Sequence, residues 1–138
     1  MAICTSSVTA LVKDFLIYSQ MQYDEVSVYF VDTSAICELH KQYFNDPSVT
    51  DCISFPMDDV NEVGYRVMGD VFVCPETATS YVAEHGGDVY HEVTLYVIHG
   101  LLHLIGYDDI DDEDRQVMRQ GETDYLAHVT AKELWLHA

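Results

Sequence analysis

Apolar residues at Val8, Leu11, Val12 and Phe15 recur at three- and four-residue intervals, the spacing that gathers side chains on one face of a helix. Ser6 and Ser7 precede them as candidate N-caps. Over residues 25–31, EVSVYFV is rich in β-branched and aromatic residues and holds no breaker, which predicts a strand. Asp32-Thr33-Ser34 then offers capping groups for a second helix carrying Ile36, Leu39 and Tyr43. Asn45-Asp46-Pro47-Ser48 is turn chemistry, and a short strand follows over 51–55 that Pro56 must end or hold at a sheet edge.

Residues 58–64 read as an acidic loop ended by glycine, and 67–73 as a strand interrupted by Gly69-Asp70. Pro75 suits the first position of a helix that Gly86-Gly87 stops. Asp88 can cap a long helix reaching Ile105, with Gly106 as the left-handed residue that ends it. Acids at 111–114 favour the positive end of a last helix that carries Arg115 and Arg119, and the pattern extends it over 125–138. Helices and strands thus mix in one short chain with no repeat or linker, which predicts an α+β fold with a small mixed sheet packed with helices.

Length changes little in this picture: 138 residues suit a single domain around one core. The longest apolar run, 95–105, contains two histidines and a glycine, too short and too polar to span a bilayer. Residues 1–12 lack the basic region, apolar stretch and cleavage site of a secretory signal, so a cytoplasmic protein with no membrane partner is expected. Cysteines at 4, 37, 52 and 74 form no C-x-x-C pair, which argues against a zinc ribbon or disulfide scaffold and for reduced, mostly buried thiols.

Charge changes more. The formal net charge is -18, with only Lys13, Lys41, Arg66, Arg115, Arg119 and Lys132 basic. Affinity for a phosphate backbone comes mainly from Lys and Arg, so non-specific nucleic-acid binding is disfavoured and no DNA partner is expected. An RNA substrate would need something else to help position it.

The candidate chemistry lies on the long helix. His99 and His103 are four residues apart, which turns a helix about 40° past a full revolution, so both imidazoles leave one face and can converge on one ion. Val93, Val97, Leu101 and Leu104 occupy the opposite face, free to pack in the core. A left-handed exit at Gly106 would return the chain toward the last turns and bring Asp109 in as a third ligand. Two imidazoles and one carboxylate leave a fourth position for a metal-bound water, the pattern of catalytic zinc in a hydrolase.

Asp108 competes as ligand; its other roles are to cap the next helix or to hydrogen-bond a ligand from behind. His40, His85, His91, His128 and His137 lack partner spacing and read as solvated or capping residues. The acids at 108–114 lack the regular spacing and glycine of a calcium-binding loop and read as a solvated helix start.

The run H-G-L-L-H-L-I-G-Y-D-D at 99–109 resembles the YbeY family of bacterial endoribonucleases, whose signature is H-G-x-L-H-L-x-G-Y-D-H. Ser54-Phe55-Pro56 and Gly69-Asp70-Val71-Phe72-Val73 agree as well, so the resemblance covers residues 26–126. It implies a zinc-binding α+β fold and single-strand-specific RNA cleavage in ribosomal RNA processing, at the 3′ end of 16S rRNA and in ribosome quality control. It also implies partners on the small ribosomal subunit and among its assembly proteins.

His99 and His103 match two family zinc ligands; the third is histidine in the family and Asp109 here. Zinc accepts aspartate, but a set of two histidines and one carboxylate leaves iron or nickel open. Where the family usually places a substrate-facing arginine, this chain has Phe44, and Arg66 is the candidate replacement for binding substrate phosphate. Two rival readings stand beside the nuclease: a ribosome-assembly module whose metal is structural, and a metallopeptidase, which Gly100 weakens because a glutamate serves as base at that position in H-E-x-x-H enzymes.

Overall fold

The β-branched runs form β1 (Glu25–Phe30), β2 (Cys52–Pro56) and β3 (Val67–Val73), which pair in the order β1-β3-β2. This is a computed structural model, and it describes residues 1–58 and 63–138; within the acidic loop expected over 58–64, residues 59–62 lie outside the described residues. β3 is the central strand, parallel to β1 and antiparallel to β2, and its Met68, Val71 and Val73 are fully buried. Pro56 ends β2 at the sheet edge, where a missing N–H costs the ladder nothing.

Gly69-Asp70 does not interrupt β3, contrary to the expectation. Gly69 adopts φ 145° inside the strand, where a Cβ would lie 2.3 Å from the Phe55 carbonyl oxygen. The residue is there for close approach, and the register shift between Glu25 and Ser27 absorbs its geometry as a bulge.

Five helices complete the described fold: α1 (Thr5–Tyr18), α2 (Thr33–Phe44), α3 (Pro75–His85), α4 (Val89–Leu104) and α5 (Asp112–Lys132). With the mixed sheet they make an α+β fold, as the pattern predicts. Asp32 caps α2 by accepting from the Ala35 N–H, and Asp88 caps α4 by accepting from Tyr90 and His91. Neither Ser6 nor Ser7 caps α1: it starts at Thr5 after Cys4, and the buried Ser7 hydroxyl donates back to the Cys4 carbonyl at 2.6 Å.

α5 stops sooner than expected. Glu133 takes a left-handed conformation, and the chain turns so that Leu136 is buried and donates its N–H to Thr94 Oγ1 at 3.1 Å. The Cys4 N–H donates to the His137 carbonyl at 2.7 Å, tying the two ends of the chain together. That bond, rather than a side-chain cap, fixes the start of α1.

The main core lies between one face of the sheet and helices α1, α3, α4 and α5, and a smaller cluster of Ile36, Ile53 and Cys74 lies under α2. α4 is its centre. Val93, Val97, Leu101 and Leu104 are buried as expected, and so are Thr94, Ile98 and Leu102; each large apolar side chain contributes about 1.5–3 kcal/mol by leaving water. Gly100 lets α4 lie against the sheet, since a Cβ there would be 2.4 Å from Val71 Cγ1 and 2.9 Å from Cys52 Sγ. Ser54 Oγ fastens the same contact by donating to the Gly100 carbonyl at 3.1 Å.

All four thiols are free, but only Cys74 is buried; Cys4, Cys37 and Cys52 are half-buried, which corrects the expectation that most are enclosed. Among the described residues no helix is long and apolar enough to cross a membrane.

Candidate metal centre

The helical spacing of His99 and His103 brings their Nε2 atoms to 3.0 Å. Past Leu104 the chain reverses: Gly106 takes φ 107° and the Tyr107 N–H donates to the Leu102 carbonyl at 3.0 Å. Asp109 follows, and its Oδ2 lies 3.5 Å from each of the two Nε2 atoms. Among the described residues these three side chains form the group able to hold a metal ion. Asp108 is not part of that group: its Oδ1 accepts from the Asp109 N–H at 2.7 Å and so steadies that residue's main chain. Capping of α5 falls to Asp111, which accepts from the Asp114 N–H at 2.8 Å.

Hydrogen bonding behind the rings decides what they present. His99 Nδ1 lies 2.8 Å from Glu122 Oε1, and His103 Nδ1 lies 3.0 Å from the Tyr107 carbonyl. A carboxylate and a carbonyl only accept, so when the rings are neutral, as metal ligation requires, the proton belongs on each Nδ1 and the Nε2 lone pair turns outward. Two lone pairs and one carboxylate oxygen therefore face one another with no donor between them. Tetrahedral zinc with ligands at 2.0–2.1 Å has ligand–ligand edges of about 3.3 Å, close to the observed triangle of 3.0, 3.5 and 3.5 Å. The donor set fits such an ion, and the backing acceptors are those that orient histidine ligands.

The field points the same way. Burial alone would make His99 harder to charge, but the hydrogen bond and charge of Glu122, joined by Asp51 and Asp109, outweigh it and raise its pKa above the ordinary imidazole value. Positive charge is favoured at this point, whether as a proton or as an ion. Cys52 lines a hollow shared with both histidines but is unsuited to ligation, because desolvation at its sulfur, with help from Asp51, pushes its thiol up to about 12.

Two cavities meet at the triad. One of about 280 Å³ is lined by His99, Asp109, Glu122, Tyr96, Arg115 and Arg119. The other, of about 440 Å³, is lined by His99, His103, Asp109, Phe44, Ser54 and Pro56. Both histidine side chains are about one-quarter exposed, at 25% and 26%, so solvent and substrate can reach them.

The family model for Endoribonuclease YbeY matches residues 2–130. The chain belongs to that family. It is 47% identical over 131 residues to an Endoribonuclease YbeY of Protochlamydia amoebophila, covering 95% of this chain and 87% of the relative. A Chlamydia muridarum protein of the same name is 38% identical over 133 residues, covering 95% and 83%. The fold is also that of TM1509 from Thermotoga maritima, known from a solution structure, with a TM-score of 0.65 at 24% identity over 93% of this chain and 84% of that one.

Within this YbeY-family fold, Phe44 ends α2 and lines the larger cavity together with the triad. Arg66 does not: it lines neither cavity that meets there. Its guanidinium lies 5.5 Å over the Tyr23 ring, its carbonyl accepts from Asp24 and Glu25, and it borders a separate hollow with Lys13 and Gly64. Its main chain is bonded to the start of β1, away from the position of Phe44.

The remaining histidines have other partners. His40 Nδ1 lies 2.9 Å from the Ser48 carbonyl, His85 Nδ1 is 3.1 Å from the Tyr81 carbonyl, and His91 stacks on Trp135 at 3.8 Å. His128 lies 2.9 Å from Asp14, and His137 bonds at the C-terminus. Glu122 is the functional side chain that the sequence reading passed over. With Arg115 and Arg119 it completes an i, i+4, i+7 stripe, the one available signal that this face of α5 is turned toward the histidines.

Proposed function

We propose that this chain is a single metal-dependent hydrolase domain that cleaves single-stranded RNA internally, with one zinc ion held by His99, His103 and Asp109. Its place is ribosomal RNA processing, at the 3′ end of 16S rRNA, and ribosome quality control. Membership of a family named for endoribonuclease activity supports the reaction class. The observation that carries the metal is the triangle of two Nε2 atoms and one carboxylate oxygen, 3.0–3.5 Å apart, with each Nδ1 set against an acceptor on the far side of its ring.

When bound, the ion supplies Lewis acidity toward a phosphoryl oxygen and a water activated near neutral pH. The protein's part is to hold the rings: Glu122 and the Tyr107 carbonyl keep both Nδ1 protonated and both Nε2 bare. α4 is fixed against the sheet through Gly100 and Ser54, so the histidine face stays still while the two cavities admit substrate. The same contact weighs against a peptidase, because no side chain fits at position 100 where such an enzyme carries its base.

The test combines metal analysis with cleavage. Protein purified without chelator or affinity-resin metal should carry about one zinc and cut single-stranded RNA, while His103→Ala should lose both properties and keep its fold. Failure to bind any metal after zinc addition would refute the proposal, and binding of iron or nickel instead would revise the ion.

The acidic charge and Phe44 favour one addition: the small ribosomal subunit or an assembly protein delivers the RNA. Cleavage should then be more efficient on small-subunit particles than on free RNA, and equal efficiency would remove the delivery step. An assembly module with a purely structural metal predicts instead that folded His103→Ala protein keeps full biological activity.

A further inference from the structure

Two of the six basic residues of this acidic chain stand side by side next to the triad. Arg115, Arg119 and Glu122 share one face of α5, and all three line the cavity of about 280 Å³ together with His99 and Asp109. Their commitments differ. Glu122 is engaged with His99 Nδ1. Arg115 pairs with Asp112 and donates to the Ile110 carbonyl, which holds it at the start of its own helix. Arg119 has its carbonyl engaged by Thr123 Oγ1 at 2.9 Å, but among the described residues its guanidinium makes no hydrogen bond or ion pair.

The other charged groups around that cavity include Asp51, Glu92 and Asp109, all acids. An anion entering on this side meets repulsion from them and attraction from the arginines, of which Arg119 is the uncommitted one. We propose that Arg119 is the phosphate-positioning residue of the site, taking the non-bridging oxygens of one RNA phosphodiester beside the triad. The proposal rests on the RNA-cleaving reading above. A planar guanidinium can take two oxygens in parallel, which fixes the orientation of the phosphate as well as its position.

This contact supplies alignment more than bulk affinity. One charge-assisted contact corresponds to about a 10- to 100-fold effect, and one phosphate neutralised on a single strand to a salt slope of about 0.7. Both are small beside what a basic groove gives, so substrate delivery by a partner is compatible with a local clamp.

The test reads binding apart from cleavage. Zinc-loaded wild type, Arg119→Ala and Arg119→Lys are titrated into a labelled, hydrolysis-resistant single-stranded RNA at several salt concentrations. The expected result is about 10- to 100-fold weaker binding for Arg119→Ala, a log K against log salt slope differing from wild type by about 0.7, and partial recovery in Arg119→Lys. Zinc content and melting temperature should be unchanged, because among the described residues this exposed side chain makes no hydrogen bond or ion pair that holds the fold.

Equal affinity and equal slope in Arg119→Ala would overturn the proposal, as would a loss that tracks loss of zinc or of folding. Parallel assays on cleavable RNA separate the two ideas. Arg119-dependent binding without any cutting leaves the clamp and removes the nuclease; cutting by Arg119→Ala at the wild-type kcat/KM does the reverse. Wild type that neither binds nor cuts removes both.

Discussion

Glu122 determines which nitrogen of His99 is available, and it does so from another helix, 23 residues away in sequence. Removing its charge while keeping an acceptor, as in Glu122→Gln, should preserve the fold and weaken zinc binding about 10-fold or more; competition against a chelating dye measures it. Unchanged affinity would mean that Glu122 neither orients nor polarises the ring. The pH dependence follows from the same contact. Because Glu122, Asp51 and Asp109 raise the pKa of His99 over the opposing effect of burial, protons compete with the ion over a range starting above the ordinary value of about 6.5. Zinc affinity should fall as pH drops through that range, and Glu122→Gln should move the fall to lower pH. In the metal-free protein the sign reverses: the raised pKa adds stability that is complete below about 6.5 and is lost as pH rises through the folded-state value. Melting curves of chelated protein across that window check this.

At the scale of elements, the site depends on how closely α4 approaches β2 and β3. Gly100→Ala should cost about 1–3 kcal/mol by overpacking, since the new Cβ meets Val71 and Cys52 at 2.4 and 2.9 Å. A melting temperature equal to wild type would show that the helix has room to spare. This contact also separates what was legible in the sequence from what was not. α4 could be read with its cap at Asp88, its buried face and its exit at Gly106, because each depends on neighbours within one or two turns. His99, His103 and Asp109 were legible for the same reason, being ten residues apart along one helix and its turn. Gly69 was misread because glycine inside an apolar run marks either a break or a close approach, and only the carbonyl of Phe55 on the neighbouring strand decides between them. The ends of α1 and α5 were misread because they are tied to each other through Cys4 and His137. Glu122 was missed, and the distance of Arg66 from the histidines was not legible, because which helix or strand faces them is a tertiary fact.

For the molecule as a whole, charge sets how substrate arrives. A net charge of -18 over a surface of 8009 Å² repels a polyanion at long range, and the arginines near the triad act only over a few ångströms. Repulsion between like charges is screened by salt, whose Debye length shrinks from about 30 Å at 0.01 M to about 8 Å at 0.15 M. Proteins that draw in nucleic acid through a basic surface associate more slowly as salt rises. This one should do the opposite with free RNA: the association rate constant, followed by stopped-flow fluorescence of a labelled single strand, should increase over that interval. A rate that falls with salt would mean that the local field of Arg115 and Arg119, rather than the net charge, governs approach. Delivery by a ribosomal partner would then lose its electrostatic rationale, because the bare protein would already attract its substrate.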